Sequence, residues 1–162
     1  IKLIGESKKE NGTVYARVAP ALIDREQPLY SVHDVFNAIF VKGNMVDDVM
    51  FYGRGAGKLP TASAVVADVI DAAGHKNRHI PIIWEEDKLE LGDIREYKQK
   101  FFVRVPADMR DVVKQKMPDS EEVKAEKVKG EFAFITPVLT ENEFEEAVKD
   151  LKIINRIIVN FK

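Results

Sequence analysis

The chain has no cysteine in its 162 residues. A disulfide framework and a thiolate metal site are therefore both excluded, and such a composition suits a reducing cytoplasm. No apolar run reaches the length needed to cross a bilayer, so no membrane-spanning helix is expected. Neither charge dominates: 25 basic residues against 27 acidic ones leave a net charge of -2. A basic footprint for nucleic acid or for an anionic membrane is accordingly missing. What remains is an ordinary globular balance, with 45% hydrophobic and 32% charged residues, enough for one domain or two small ones.

The organising stretch is 37–74. It reads as a hairpin whose second strand runs into Gly53-Arg54-Gly55-Ala56-Gly57 and then into a helix of small residues. Residues 2–23 read as an earlier hairpin turning at Asn11-Gly12, a pair that accepts positive φ at low cost. These strands are expected to pair with the 37–52 hairpin. Pro20 donates no backbone hydrogen bond and belongs at an edge or bend. Residues 28–36 have helical spacing but little length. Asp47 and Asp48 are adjacent and read as a solvated turn end rather than an acid–base or metal pair. The first residue, Ile1, falls directly into a strand-like run, and a truncated piece of a longer chain is expected.

Three glycines at alternate positions allow positive φ and close approach of a ligand to the backbone. Pro60 fits a first helical turn, and Thr61 and Ser63 are available to satisfy first-turn amides. A glycine turn entering a helix N-terminus presents N–H groups and a positive dipole end to an anion or a polar ring substituent. Two named phosphate motifs fail here. A Walker A loop would need glycine at Tyr52 and Ser or Thr at Leu59, and the dinucleotide fingerprint would need glycine at Lys58. From spacing alone, ligand contact and simple close packing of the helix on a sheet stand even. Val66, Val69, Ile70 and Ala73 form one stripe of that helix, Val65 lies off it, and Gly74 ends it.

The order IKLIG, NAIFV and MFYGRGAGKLPTASAVVADVI resembles the later catalytic region of a homoserine dehydrogenase, with GRGAGKLPTASAV the most specific phrase. The resemblance implies a parent oxidoreductase that interconverts L-aspartate 4-semialdehyde and L-homoserine with NAD or NADP, on the route to threonine and methionine. It implies a cofactor-binding group of Gly57, Gly55, Ala56 and Thr61, with Gly57 facing the nicotinamide end. It further implies that the catalytic lysine, the substrate-binding acidic residues and the nucleotide-binding domain lie outside this chain. No catalytic residue is then expected within it, and the isolated piece should be inactive and without bound cofactor. The helix from Pro60 to Ala73 would pack on that missing domain.

Residues 76–95 read as a linker. His75 and His79 are four apart, but Gly74 and Pro81 break helical geometry around them, so solvated loop histidines are favoured over a metal pair. Residues 80–84 read as a short strand or an apolar strap, and Glu85-Glu86-Asp87 as a solvated acidic stretch. From residue 96 the order strand, helix, strand, strand, helix, strand suggests a ferredoxin-like sandwich. Phe101, Val103 and Val105 alternate, Met109 to Met117 is helical until Pro118, Lys129-Gly130 turns a hairpin, and Thr140 with Glu143 forms a capping box. A last strand is expected over 153–161. The expected class is thus α+β: residues 1–75 the remainder of a catalytic substrate domain, and 96–162 a βαββαβ unit resembling an ACT-type regulatory domain. Asp108, in a turn without glycine, stands either as a remnant of an amino-acid effector site or as an N-cap. Self-association through sheet surfaces, as a homodimer, is the partner expected.

Overall fold

The computed structural model describes every residue except Ile80, Glu85, Asp87, Ala125, Glu126, Phe161 and Lys162. The chain forms two compact units, one of Ile1–Asp24 with Lys88–Lys162 and one of Arg25–Asp87. The division falls at neither 75 nor 95, where composition suggested boundaries.

The first unit begins with β1 (Lys2–Glu10) and β2 (Thr13–Leu22), paired antiparallel from Lys2↔Ala21 to Glu10↔Thr13. Asn11 and Gly12 take φ of 50° and 85°, the two positive values that a two-residue hairpin with the right twist requires. The unit continues with β5 (Lys100–Pro106), α2 (Arg110–Lys116), β6 (Glu121–Val123), β7 (Glu131–Ile135), α3 (Glu141–Val148) and β8 (Asn155–Val159). Among the described residues the sheet order is β1-β2-β8-β5-β7-β6. Its last four strands have the order of a ferredoxin-like βαββαβ unit, with β5 antiparallel to both β7 and β8.

The expected pairing of the first hairpin was with the second. Instead β2 runs parallel to β8 through Ala21↔Ile158 and Leu22↔Val159, so the hairpin extends the ferredoxin-like sheet. Pro20 lies beside this junction, opposite Leu3 of β1. The expected linker also changes character from residue 88 onward. Leu91 bridges Val14, and the Gly92 amide donates to the Val14 carbonyl at 2.8 Å. A Cβ on Gly92 would stand 2.5 Å from Thr13 Cγ2 and 2.6 Å from Tyr15 Cε1, so only glycine permits that approach. Tyr97 then packs on Tyr15, and Arg17 stacks over Tyr97 while binding Glu6 and Gln99.

Period-two alternation decides what the sheet buries. Phe101, Val103, Val105, Phe132 and Phe134 face α2 and α3, packing with Val113, Met117, Phe144, Val148 and Leu151. The α3 start is fixed by the predicted capping box: the Glu143 amide donates to Thr140 Oγ1 at 3.1 Å, and the Thr140 amide donates to Glu143 Oε2 at 2.8 Å. Gly130 turns the β6–β7 connection at φ 81°. The last strand covers 155–159, shorter than expected at its start; its expected end at Phe161 lies outside the described residues.

Both helices of this unit, α2 and α3, pack on the same sheet face, and the alternate residues of the strands point to the opposite one. Phe102, Arg104, Ala133, Asn155 and Ile157 floor a cavity of about 360 Å³ there, walled by Ile1, Leu22, Val123, Val128 and Glu131. Arg104 binds Glu131 through Nε at 2.7 Å and Nη2 at 2.9 Å.

The second unit contains β3 (Phe36–Lys42), β4 (Asp48–Arg54) and α1 (Lys58–Gly74). Of the ambiguous residues 28–36, Pro28–Ser31 form a short 3-10 turn and Phe36 opens β3. β3 and β4 pair from Phe36↔Arg54 to Lys42↔Asp48. Phe36 stacks on Tyr52 at 4.9 Å, with the Arg54 guanidinium over Phe36. Asp47 turns the chain at φ 59°, and the Asp47 carbonyl accepts the Gly43 amide at 2.9 Å. Residues 81–84 form neither helix nor strand, and Ile82, Ile83 and Trp84 are exposed. Ile80, Glu85 and Asp87, parts of the expected strap and acidic stretch, lie outside the described residues.

Candidate functional site

The hairpin delivers its second strand into the glycine turn, and the three glycines there serve different ends. Only Gly57 adopts the left-handed side of backbone space, at φ 120° and ψ 152°. That region is reached essentially by glycine alone. Gly53 and Gly55 do not need positive φ, which corrects the expectation from their alternate spacing. A Cβ on Gly53 would meet nothing within 4 Å, whereas one on Gly55 would press into the Asn37 side chain.

Gly57 is the N-cap of α1, so the helix begins at Lys58 and Pro60 falls within its first turn. No side chain caps this end, and Thr61 and Ser63 therefore do not satisfy first-turn amides as their types suggested. Thr61 instead donates its amide to the Gly57 carbonyl at 3.2 Å. The first turn carries no acidic residue, and Lys58 adds a cation to the positive end of the helix dipole. Electrostatically, this end favours an anion or a hydrogen-bond acceptor.

Gly57, Lys58, Thr61, Ala62, Val65 and Val66 line one shallow depression along the helix. Two of the residues singled out from sequence, Gly57 and Thr61, thus come together, while Gly55 and Ala56 lie in the turn outside that lining. Lys58, Ala62, Val65 and Val66 were missed. Their signal is the fourfold spacing 57, 61, 65 and 58, 62, 66, which one helical face imposes. The stripe Val66, Val69 and Ile70 is exposed, as is Val65. At the other end the helix closes on His75, whose Nδ1 lies 2.9 Å from the Asp71 carbonyl oxygen; Gly74 is its last residue rather than a left-handed cap.

Asp108 sits in a short 3-10 turn, Ala107–Met109, and is exposed. Neither that turn nor α2 has a side-chain cap, so Asp108 is not the N-cap it was weighed as. Among the described residues no group of three or more His, Asp or Glu side chains is placed to hold a metal. No helix among them is long and apolar enough to cross a membrane.

Fold and site together define an α+β chain with a ferredoxin-like sheet and a hairpin that presents a backbone-lined, electropositive helix end. Comparison with known proteins then shows what the chain is similar to. Residues 1–70 match the homoserine dehydrogenase family model. The homoserine dehydrogenase of Neisseria gonorrhoeae is 49% identical over 73 residues, covering 45% of this chain and 17% of that protein. The Helicobacter pylori homoserine dehydrogenase is 38% identical over 105 residues, covering 65% of this chain and 25% of the relative. The fold likeness extends further. The crystal structure of Staphylococcus aureus homoserine dehydrogenase at pH 6.0 superposes with a TM-score of 0.70 and 33% identity, over 99% of this chain and 42% of that one. The Thiobacillus denitrificans homoserine dehydrogenase shares the fold at a TM-score of 0.78 and 23% identity, over 98% of this chain and 42% of that one. The chain therefore spans less than half the length of each of these four proteins.

Proposed function

We propose that this chain is the C-terminal part of a homoserine dehydrogenase, the end of its catalytic domain followed by an ACT-like domain. The parent enzyme would interconvert L-aspartate 4-semialdehyde and L-homoserine in the cytoplasm, serving threonine and methionine biosynthesis. The observation that carries this reading is that the family match spans the glycine turn and the start of α1, where the backbone is shaped for close approach. The fit to a nicotinamide cofactor is that of one wall. The uncapped N-terminus, the glycine-only conformation at Gly57 and the Thr61 hydroxyl suit polar ring substituents or phosphate oxygens, and Val65 and Val66 suit a flat apolar surface. When bound, NAD or NADP supplies or accepts the hydride. The share of this chain is to bring Gly57 and Thr61 against the cofactor, to shape the approach through Gly55 and Ala56, and to exclude water with the apolar residues of α1. Which of the two cofactors is used is decided outside this chain.

The reading predicts no turnover of NADPH with aspartate semialdehyde by the isolated chain; turnover would overturn it. Its gene should also encode a dinucleotide fingerprint upstream of Ile1, and a reading frame without one would count against it equally.

A second reading is favoured by the cavity on the side of the first unit's sheet away from its own α2 and α3: an assembly or amino-acid-sensing module that self-associates as a homodimer and plays no catalytic part. Sedimentation and calorimetric titration with threonine separate the two. Saturable threonine binding would support sensing, and a monomer without threonine binding would remove this second reading.

A further inference from the structure

On one face of the second unit's hairpin, Asn37, Ile39 and Val41 of β3 stand opposite Gly53, Phe51 and Val49 of β4. The chain leaves this face two residues after Gly53, at Gly55. A Cβ built on Gly55 would lie 2.9 Å from Asn37 Cγ and 3.3 Å from Asn37 Cβ, and nearer still to the carboxamide nitrogen. Gly55 is not in the left-handed region, so its backbone conformation alone would admit alanine. Gly53 has no such neighbour, and Gly57 meets only the Pro60 ring at van der Waals distance. Of the three glycines, Gly55 alone has a neighbouring side chain, that of the exposed Asn37, inside contact distance of an added Cβ.

We propose that Asn37 is the positioning residue of the glycine turn. Its carboxamide occupies the space a side chain at 55 would take, and this contact is a lateral stop that sets the path of the backbone from Arg54 to Gly57. The functional meaning rests on the cofactor-wall reading above, since that path decides where the Gly57 backbone meets a ligand. The contact itself does not depend on that reading.

The test is a double-mutant cycle in the ¹⁵N-labelled 162-residue chain with Asn37→Gly, Gly55→Ala and the pair combined. Gly55→Ala is expected to shift the amide resonances of Ala56, Gly57 and Lys58 while those of Val103 and Phe134, in the other unit, stay in place. Adding Asn37→Gly should return the shifted resonances toward those of Asn37→Gly alone, because space is restored. Asn37→Ala should move the same turn resonances without any change at Gly55. The proposal is overturned if Gly55→Ala leaves the turn resonances unmoved, or if the two changes add instead of cancelling. Should Gly55→Ala unfold the second unit, rescue by Asn37→Gly supports the contact, and persistence of unfolding contradicts it. In the complete enzyme, Asn37→Ala is expected to raise KM for the nicotinamide cofactor several-fold while kcat at saturating cofactor is kept. An unchanged KM beside a positive cycle would remove the cofactor-wall reading and leave the Asn37–Gly55 coupling as measured.

Discussion

Replacing Gly57 with alanine separates backbone strain from contact, because the two are decoupled at this position. The nearest atoms to an added Cβ are Pro60 Cδ at 3.5 Å and Cγ at 3.8 Å, ordinary contact distances that cost little. The φ of 120° with ψ of 152° is another matter. Residues held in such a region cost on the order of 1–3 kcal/mol. At 1.4 kcal/mol per tenfold, the closed first turn of α1 should lose roughly 5- to 150-fold in its equilibrium against the opened one. Thr61 reports this directly, since its amide donates to the Gly57 carbonyl. Amide exchange at Thr61 in Gly57→Ala should accelerate by that factor. Gly53→Ala is the control: its added Cβ meets nothing within 4 Å and its φ is not left-handed. That change should be neutral or stabilising by about 0.4–1 kcal/mol, through the unfolded chain. The reasoning fails if Gly57→Ala leaves Thr61 exchange unchanged, or if Gly53→Ala accelerates it as much.

Phe134, fully buried against both helices, should cost about 3–5 kcal/mol on truncation to alanine. Ile70→Ala on the exposed stripe of α1 should stay within about 0.5 kcal/mol, and urea midpoints of the two variants test the contrast. Thr140→Ala dismantles the α3 capping box and should cost about 1 kcal/mol, lowering the thermal midpoint by about 4–8 °C for a unit of this size. The Thr140 amide holds the Glu143 carboxyl below its ordinary value, Arg110 does the same for Glu122, and Lys116 for Asp150. Folded values below the unfolded ones add stability that is complete above the ordinary carboxylate range and disappears as pH falls through the lowered values. Urea midpoints should therefore fall between about pH 5 and pH 3, and a midpoint that rises on acidification would contradict the assignment.

The sequence was most legible where local chemistry decides the outcome. Asn11-Gly12, Lys129-Gly130 and the Thr140–Glu143 box each specify a turn or cap within four residues, and the alternation of Phe101, Val103 and Val105 fixes which face is buried. Partner choice was less legible. Nothing local marks Ala21 and Leu22 as neighbours of Ile158 and Val159, because that pairing is set by where the ferredoxin-like sheet leaves a free edge. The need for Gly92 was equally hidden, since its cause is the Thr13 and Tyr15 side chains brought there by the fold. At the turn, the spacing of three glycines suggested one shared reason, yet only Gly57 takes a positive φ and only Gly55 has the Asn37 side chain beside it. The lining by Lys58, Ala62, Val65 and Val66 was encoded in helical periodicity, but the broad apolar surface of α1 masked which face carries the depression.

The parallel junction between β2 and β8 has a consequence for the order in which the chain acquires structure. Its partners lie more than 130 residues apart in sequence, with the whole second unit between them. During synthesis the β1–β2 hairpin and the glycine-turn unit emerge long before β8, so the hairpin must wait with one edge open until the ribosome has released residues 155–159. The closing loop is long, but its entropic cost grows only logarithmically with length; the penalty is chiefly one of time. A stop codon ahead of β8 would therefore strand the hairpin along with the C-terminal strand itself, and the waiting edge marks the interval in which the nascent chain is most exposed to mispairing.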